Sequence, residues 1–322
     1  MSAPRPDHAT LQQAAQWYAR LSAEPPDHAT RQAWRQWHEQ SDAHQQAWHY
    51  VERISQRFAP LQSEAEMALQ TLGTARNNAR SRRQVLRTLA VLSGGALLGW
   101  TGLRHPQLSR PLLALRAEYR SPTGSVRPFT LTDGTRIWLN SASALDVDYR
   151  TDLRLLRLIE GEVLIDTARD PRPFVVETTE GRLRALGTRF SVLQQPRSTL
   201  LNVFDGAVEV RPAEGDRPHV TRAGQQVRFD RQRIADSMPA SYLRQGWSDG
   251  LLLADDMTLA EFTQELARYR HGHLDVAPEI AHLRVMGTYP LHDSEQALAM
   301  LERVLPVRVR YTLPWWATLE PR

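Results

Sequence analysis

The residues able to do chemistry in this 322-residue chain are mainly histidines and carboxylates, because the sequence contains no cysteine. Disulfides, thiolate metal sites and cysteine nucleophiles are therefore excluded. His38 and Glu39 begin a pattern typical of zinc proteases, but that pattern needs its second histidine four residues after the first, and His44 comes six residues after. We expect the N-terminal histidines to be solvated, and we interpret His271 and His273 as exposed loop residues.

The middle of the chain contains no catalytic motif either. It lacks the G-x-S-x-G nucleophile motif, a glycine-rich phosphate loop and paired histidines at the spacing of metal ligands, and His219 is its only histidine. We expect a protein that is not an enzyme and that uses neither a cofactor nor a metal.

Tryptophan is concentrated near the N-terminus, where four of the nine tryptophans lie in the first 48 residues. Apolar residues recur there at helical spacing in three stretches, which predicts a small helical bundle over residues 1–80, with a weaker fourth helix over residues 61–75. A bundle of this size cannot bury every ring, so some rings are expected to dock a protein partner. The alternative is that all four rings fill the core.

Charge does not favour nucleic acid as the partner. The net charge is +4, and all 40 basic residues other than histidine are arginine. Within residues 1–80, eight arginines balance eight acidic residues, whereas a DNA-binding helical domain usually has a basic face. We therefore expect a protein partner and no direct contact with nucleic acid. A membrane-tethered DNA-binding regulator is the alternative.

The longest apolar run, Val85–Leu103, divides the chain and contains Arg87 as its only charge. Its length corresponds to a helix of about 28 Å, close to the ~30 Å hydrocarbon core of a bilayer. Arg82 and Arg83 precede it and resemble a twin-arginine export signal. The excess of arginine on the N-terminal side predicts a cytoplasmic N-terminus. The sequence thus predicts one transmembrane helix over residues 85–103; the alternative is a buried helix of a soluble protein.

The chain after this run changes its pattern twice. Residues 119–240 alternate apolar and polar side chains in short stretches separated by glycine turns such as Asp133-Gly134, which predicts an all-β sandwich or solenoid-like domain. Residues 247–322 combine short strands with two helices, one opened by a capping box from Thr258 to Glu261 and one starting at Asp293. This order predicts a small α+β domain of the form βαβ-βαβ.

Several of these segments together resemble the FecR family of membrane-spanning sigma-factor regulators. The middle of the chain carries the family motifs Leu131–Asn140 (LTDGTRIWLN) with Ser143, Leu158–Val163 (LIEGEV), Pro173–Val176, Leu186–Val192 (LGTRFSV) and Val203–Val210 (VFDGAVEV). The last segment adds Trp247, Gly250 and Leu266–Tyr269 (LARY), and is similar to the STN-like domain of secretins and TonB-dependent receptors. The helical segment is similar to the family's cytoplasmic domain.

The resemblance implies an anti-sigma factor of the bacterial inner membrane, crossing it once. Its domains would be residues 1–80, which bind an extracytoplasmic-function (ECF) sigma factor in the cytoplasm, the helix 85–103, a periplasmic FecR-like β domain over 119–240, and an STN-like domain over 247–322. By position, Trp17, Leu21, Trp37 and Trp48 are the expected sigma-factor contacts.

The resemblance also implies a signalling route. The periplasmic part would meet the signalling domain of a TonB-dependent outer-membrane siderophore receptor. Proteases of regulated intramembrane proteolysis would then release the N-terminal helices with their sigma factor, and iron-uptake genes would be transcribed. We hypothesise that binding loosens the β domain near Tyr119 and exposes residues 108–116, since local opening needs less free energy than global unfolding. An anchored periplasmic enzyme is a further alternative.

Overall fold

The computed structural model describes residues 7–23, 28–71, 114, 116–215 and 217–322. They form a helical unit at the N-terminus, a β unit from Tyr119 to Pro239 and a C-terminal unit from Tyr242 to Pro321. Arg82, Arg83 and the predicted span Val85–Leu103 lie outside the described residues.

The helical unit consists of α1 (His8–Ala23), α2 (His28–Glu39) and α3 (Asp42–Thr71). Asp7 caps α1, because its carboxylate accepts hydrogen bonds from the amide and the hydroxyl of Thr10, both at 2.9 Å. These bonds lower the pKa of Asp7. The separate helix predicted over residues 61–75 is instead the end of α3, which continues to Thr71.

The fold-class prediction of one transmembrane helix is not supported by this structure and is corrected here. Among the described residues, no helix combines the length and the apolar character needed to cross a bilayer. The longest, α3, has 30 residues, but polar and charged side chains recur along it.

The β unit is built from thirteen strands that form one connected sheet. They are β1 (Tyr119–Ser121), β2 (Arg127–Thr130), β3 (Arg136–Leu139), β4 (Ser143–Tyr149), β5 (Arg154–Asp166), β6 (Phe174–Glu177), β7 (Gly181–Ala185), β8 (Arg189–Gln194), β9 (Thr199–Asp205), β10 (Ala207–Pro212), β11 (His219–Arg222), β12 (Gln225–Phe229) and β13 (Met238–Pro239).

Strand β5 organises this sheet because its two halves have different neighbours. Residues 154–160 pair with β4 and β6, and residues 161–166 pair with β3 and β8. Gly161 lies at the change of partners with a φ of +84°, a conformation that L side chains rarely adopt. The sheet therefore curls into a half-barrel around an apolar core that includes Ile137, Leu156, Phe190 and Val203.

The C-terminal unit contains a 3-10 helix (Tyr242–Asp249), β14 (Leu251–Thr258), α4 (Leu259–Leu266), a second 3-10 helix (Ala267–Tyr269), β15 (His273–Val276), β16 (Arg284–Pro290), α5 (Ser294–Val304), β17 (Val307–Leu313) and β18 (Trp316–Pro321). Strands β14 and β16 form a two-stranded sheet, while β18 lies between β15 and β17 in a second sheet.

Both helix starts predicted in this unit are present. The capping box of α4 is complete, with the Thr258 hydroxyl accepting from the Glu261 amide and the Glu261 carboxylate accepting from the Thr258 amide. Asp293 caps α5 by accepting from the amide of Gln296 at 2.9 Å. These helices bury Phe262 and other apolar residues in a core that also includes Phe204 of the β unit.

Candidate protein-binding site

The N-terminal helices share an aromatic cluster. The Trp17 and Trp37 ring centroids are 6.5 Å apart, those of Tyr18 and Trp48 are 5.9 Å apart, and those of Trp34 and Trp48 are 5.0 Å apart. Small residues such as Ala14, Ala15 and Ala47 are fully buried beneath the rings and let the helices approach closely. The cluster is thus a single apolar body shared by α1, α2 and α3.

The four residues predicted to contact a sigma factor have two different environments in this cluster. Trp37 and Trp48 are buried, each with 8% of its surface exposed, and the Trp37 indole donates a 2.8 Å hydrogen bond to Gln13. Trp17 and Leu21 are half-buried on α1. Trp37 and Trp48 therefore hold the helices together, whereas Trp17 and Leu21 retain surface that a partner could contact.

Part of the aromatic cluster is covered by the C-terminal unit. Trp315 and Trp316 pack against the helices, with Trp315 at 6.0 Å from Tyr18 and Trp316 at 6.4 Å from Tyr50, between ring centroids. Sequence reasoning missed this surface. The Trp315-Trp316 pair after Pro314 is the signal that could have indicated it.

Polar contacts border this aromatic contact. His8 of α1 pairs with Asp275 of β15 at 2.6 Å, and Gln12 donates to Glu320 at 3.3 Å. The hydrogen bond that the His8 ring donates to Asp275 raises the pKa of His8 against the opposing effect of burial. Burial by itself raises the pKa of Asp275, but the nearby His273 and His8 side chains bring it below its usual value. The pair is therefore favoured with His8 protonated and Asp275 ionised.

His273 differs from the sequence interpretation, which treated it as an exposed loop residue. It is the first residue of β15 and is buried, with its ring centroid 3.8 Å from that of Trp316. Its Nδ1 atom lies 3.3 Å from the Tyr50 hydroxyl. The parallel pairing of β15 with β18 sets His273 beside Trp316, and spacing along the chain does not reveal that pairing.

Two side chains of the helical unit, Tyr50 and His8, touch the C-terminal unit directly. In the part of the chain that the structure describes, no group of three or more His, Cys, Asp or Glu side chains could hold a metal ion.

Two family models match separate parts of the chain. Residues 117–209 match the model described as FecR protein, and residues 12–54 match a model described as a domain of unknown function, DUF4880. The first range covers the strands from β1 into β10, and the second covers most of the aromatic helical unit. The resemblance to the FecR family that the sequence motifs indicated is thus confirmed over residues 117–209.

Solved structures with a similar fold include a candidate anti-sigma factor from Parabacteroides distasonis ATCC 8503, determined at 2.50 Å and at 1.65 Å. In both cases the identity is 21%, and the alignment covers 63% of this chain and 98% of that chain, with TM-scores of 0.51 and 0.52. At this identity the likeness establishes a shared fold. Among curated proteins, none matches this chain.

Proposed function

We propose that this protein regulates an ECF sigma factor by binding it with the N-terminal helical unit. The aromatic cluster of α1, α2 and α3 is the main observation in favour, since rings held on a rigid frame are typical of protein-binding hot spots. The match of residues 117–209 to the FecR model and the fold shared with a candidate anti-sigma factor support the same role. The role is regulatory rather than enzymatic.

Within this proposal, Trp17 and Leu21 contact the sigma factor, and Trp37 and Trp48 fix the helices that present them. The half-buried state of Trp17 and Leu21 supports this division, because a docking residue needs free surface and a frame residue does not. The Arg20 guanidinium lies 5.4 Å from the centre of the Trp17 ring and adds a cation beside it.

Co-purification of the full chain with the sigma factors of its own cells tests this proposal. We expect Trp17→Ala and Leu21→Ala to weaken sigma-factor binding about tenfold or more, because a docking side chain at a hot spot contributes about 2 kcal/mol or more. Gln36→Ala, an exposed change on α2, is the matched control. Recovery of no sigma factor, or equal binding by all three variants, would contradict the proposal.

We further propose that the C-terminal unit receives the signal, from the signalling domain of a TonB-dependent siderophore receptor. Exposed apolar residues on β14 and β16 support a docking role, with Leu251 36% exposed and Met286 67% exposed. A groove of about 420 Å³ borders β14 and is lined by Leu243 and Met257, among others. In this route the receptor acts in the periplasm, and regulated proteolysis frees the sigma-factor complex to transcribe iron-uptake genes.

In the two-compartment route, the helical unit lies in the cytoplasm and the C-terminal unit lies in the periplasm. Cross-linking can test this route separately from the sigma-binding role. The chain has no native cysteine, so His8→Cys with Asp275→Cys places the only thiols on either side of the contact. A short bis-maleimide should join them in the purified chain. A protein that works at the inner membrane with its helices in the cytoplasm should not be joined in intact cells. Joining there would contradict the two-compartment route and leave the sigma-binding proposal standing.

A further inference from the structure

The family motifs of the β unit and of the C-terminal unit meet at one buried polar junction. Arg268 donates to the Glu162 carboxylate at 2.6 Å, and the Tyr269 hydroxyl donates to the Asn140 side chain at 2.7 Å. Asn140 in turn donates to Glu162 at 3.0 Å. Residues more than one hundred positions apart in the chain therefore share a single hydrogen-bonded network.

Ser141 extends this network to the first strand of the β unit. Its hydroxyl donates to the Arg268 carbonyl at 2.6 Å and accepts from the Gly124 amide at 2.9 Å. Gly124 has a φ of +83° and lies so close to the Tyr269 carbonyl that a Cβ atom there would be 3.0 Å from its oxygen. The turn that follows β1 thus rests directly on the C-terminal unit.

The charge at the centre of the junction depends on the C-terminal unit. Glu162 is fully buried, and its Oε1 atom has no hydrogen-bond partner among the described residues. Burial opposes its ionisation, but the nearby Arg268 and Arg244 bring the pKa of Glu162 below its usual value. Withdrawing Arg268 would leave a buried carboxylate without its counter-ion, a state that proteins disfavour strongly.

Strand β1 is short and is also held within the β unit, where the Arg127 guanidinium donates to the Arg120 carbonyl at 2.7 Å and the Ala142 amide donates to the Pro122 carbonyl at 3.3 Å. It has three residues and pairs with β4 alone among the described strands, with Ser121 opposite Ser143. Tyr119 stacks on Phe129 with ring centroids 4.3 Å apart, and the Glu118 amide donates to Asp146. A strand of three residues opens locally at little cost, and the Gly124–Ser141 bond adds an attachment to the C-terminal unit at the turn that follows it.

We propose that Asn140, Ser141, Glu162, Arg268 and Tyr269 form a latch through which the C-terminal unit holds β1 in place. Moving the C-terminal unit away from the β unit opens the latch and frees the start of the β unit, which follows residues 72–113. The latch is a property of the fold, and its use as a trigger for proteolysis rests on the proposed function.

Amide hydrogen exchange on the full-length purified chain tests the latch. Arg268→Met removes the counter-ion, and Ser141→Ala removes only the two hydroxyl bonds, which keeps the test valid if the first variant folds poorly. We expect exchange at residues 119–124 to become about tenfold faster or more in both variants, while exchange in β8 and β9 stays unchanged. Ser198→Ala is the matched control, because its hydroxyl bonds within the β8–β9 turn.

Two results would overturn the latch. One is exchange at residues 119–124 of Ser141→Ala that equals that of the unchanged chain. The other is uniform acceleration in every strand, which would mean general destabilisation. Failure of the proposed function is distinguishable from both, since β1 would open in the variants while this chain stays uncleaved in cells and the iron-uptake genes are not transcribed.

Discussion

The C-terminal unit makes two contacts of opposite chemical character. Against the β unit it presents Arg268 and Tyr269 to a buried network of hydrogen bonds with Glu162 at its centre. Against the N-terminal helices it presents the rings of Trp315 and Trp316, with the His8–Asp275 pair at the border. Opening a buried hydrogen-bonded network leaves polar groups without partners, which is costly, whereas separating two apolar ring surfaces leaves no buried polar group unpaired.

This difference indicates that the contact with the β unit is the more permanent one and that the contact with the N-terminal helices can be released. The β unit and the C-terminal unit share an apolar core as well as the latch, so they are expected to move together until the latch opens. The helical unit is joined by side chains that can find other partners. Four substitutions test this comparison, from the largest expected effect to the smallest.

Arg268→Met should have the largest effect. Removing one partner of a buried ion pair leaves Glu162 uncompensated, so we expect the free energy of unfolding to fall by about 3–5 kcal/mol at neutral pH. Urea denaturation of the purified chain measures it. Arg308→Met removes an arginine that is 62% exposed and lies 3.5 Å from Glu320, and should cost less than about 1 kcal/mol. Equal losses of unfolding free energy in the two variants would mean that the buried ion pair contributes no more than the exposed one, which would contradict this prediction.

Trp315→Ala should separate the helical unit from the C-terminal unit. Loss of a buried ring at a contact typically costs about 2 kcal/mol or more. We therefore expect faster hydrogen exchange in α1 with little change in the β unit. Met286→Ala, at a side chain that is 67% exposed, is the control. If α1 exchanges at its original rate in Trp315→Ala, the rings do not hold this contact.

Thr258→Ala should have a smaller effect on the latch. The substitution removes the capping box of α4, the helix that leads to Arg268, and typical caps contribute about 1 kcal/mol. Exchange at residues 119–124 should rise slightly, by less than in Arg268→Met. Thr288→Ala on β16, away from the cap, serves for comparison, and a larger rise in that variant would refute the role of the cap.

The smallest effect should come from pH at the His8–Asp275 pair. Because the pKa of His8 is raised above 6.5, the protonated ring stabilises the contact fully below about pH 6.5. This stabilisation is lost as the pH rises through the raised pKa. The charged groups that face it are Asp275, Glu279 and Glu320.

The pKa of Asp275 is lowered, so the stabilisation that its ionised form provides depends on pH in the opposite direction. This stabilisation is lost only in acid, below about pH 3.8. Exchange in α1 should therefore increase as the pH rises above about 6.5, beyond the intrinsic change, by an amount equivalent to less than about 1 kcal/mol. His8→Gln should remove this dependence. A dependence that persists in His8→Gln would assign it to another group.

Features carried by short patterns were predictable from the sequence. The capping box at Thr258 and the cap at Asp293 were expected because donor and acceptor lie three residues apart. Glycine turns such as Asp133-Gly134 do separate short strands, but the strand break that the sequence indicated at Glu160-Gly161 is wrong, because β5 continues through it from Arg154 to Asp166. Strand β18 was missed because Trp316 and its neighbours do not alternate apolar and polar side chains, and all four residues from Trp316 to Leu319 are buried.

The contacts between units could not be predicted in the same way. Asn140 and Tyr269 both belong to segments that resemble the family, but nothing in their spacing shows that they touch, 129 positions apart. His273 was assigned to an exposed loop because its burial depends on the parallel pairing with β18. The predicted sigma-factor contacts Trp17, Leu21, Trp37 and Trp48 remain predictions, since the structure contains no partner.

Gly161 gives the latch a genetic signature. It sits beside Glu162 on β5, and any side chain there would collide with Ser143, whose hydroxyl accepts from the Glu162 amide. Replacing this glycine displaces the carboxylate without touching a receptor-facing surface. A selection for cells that transcribe the target genes with no inducer should therefore return alleles at codon 161.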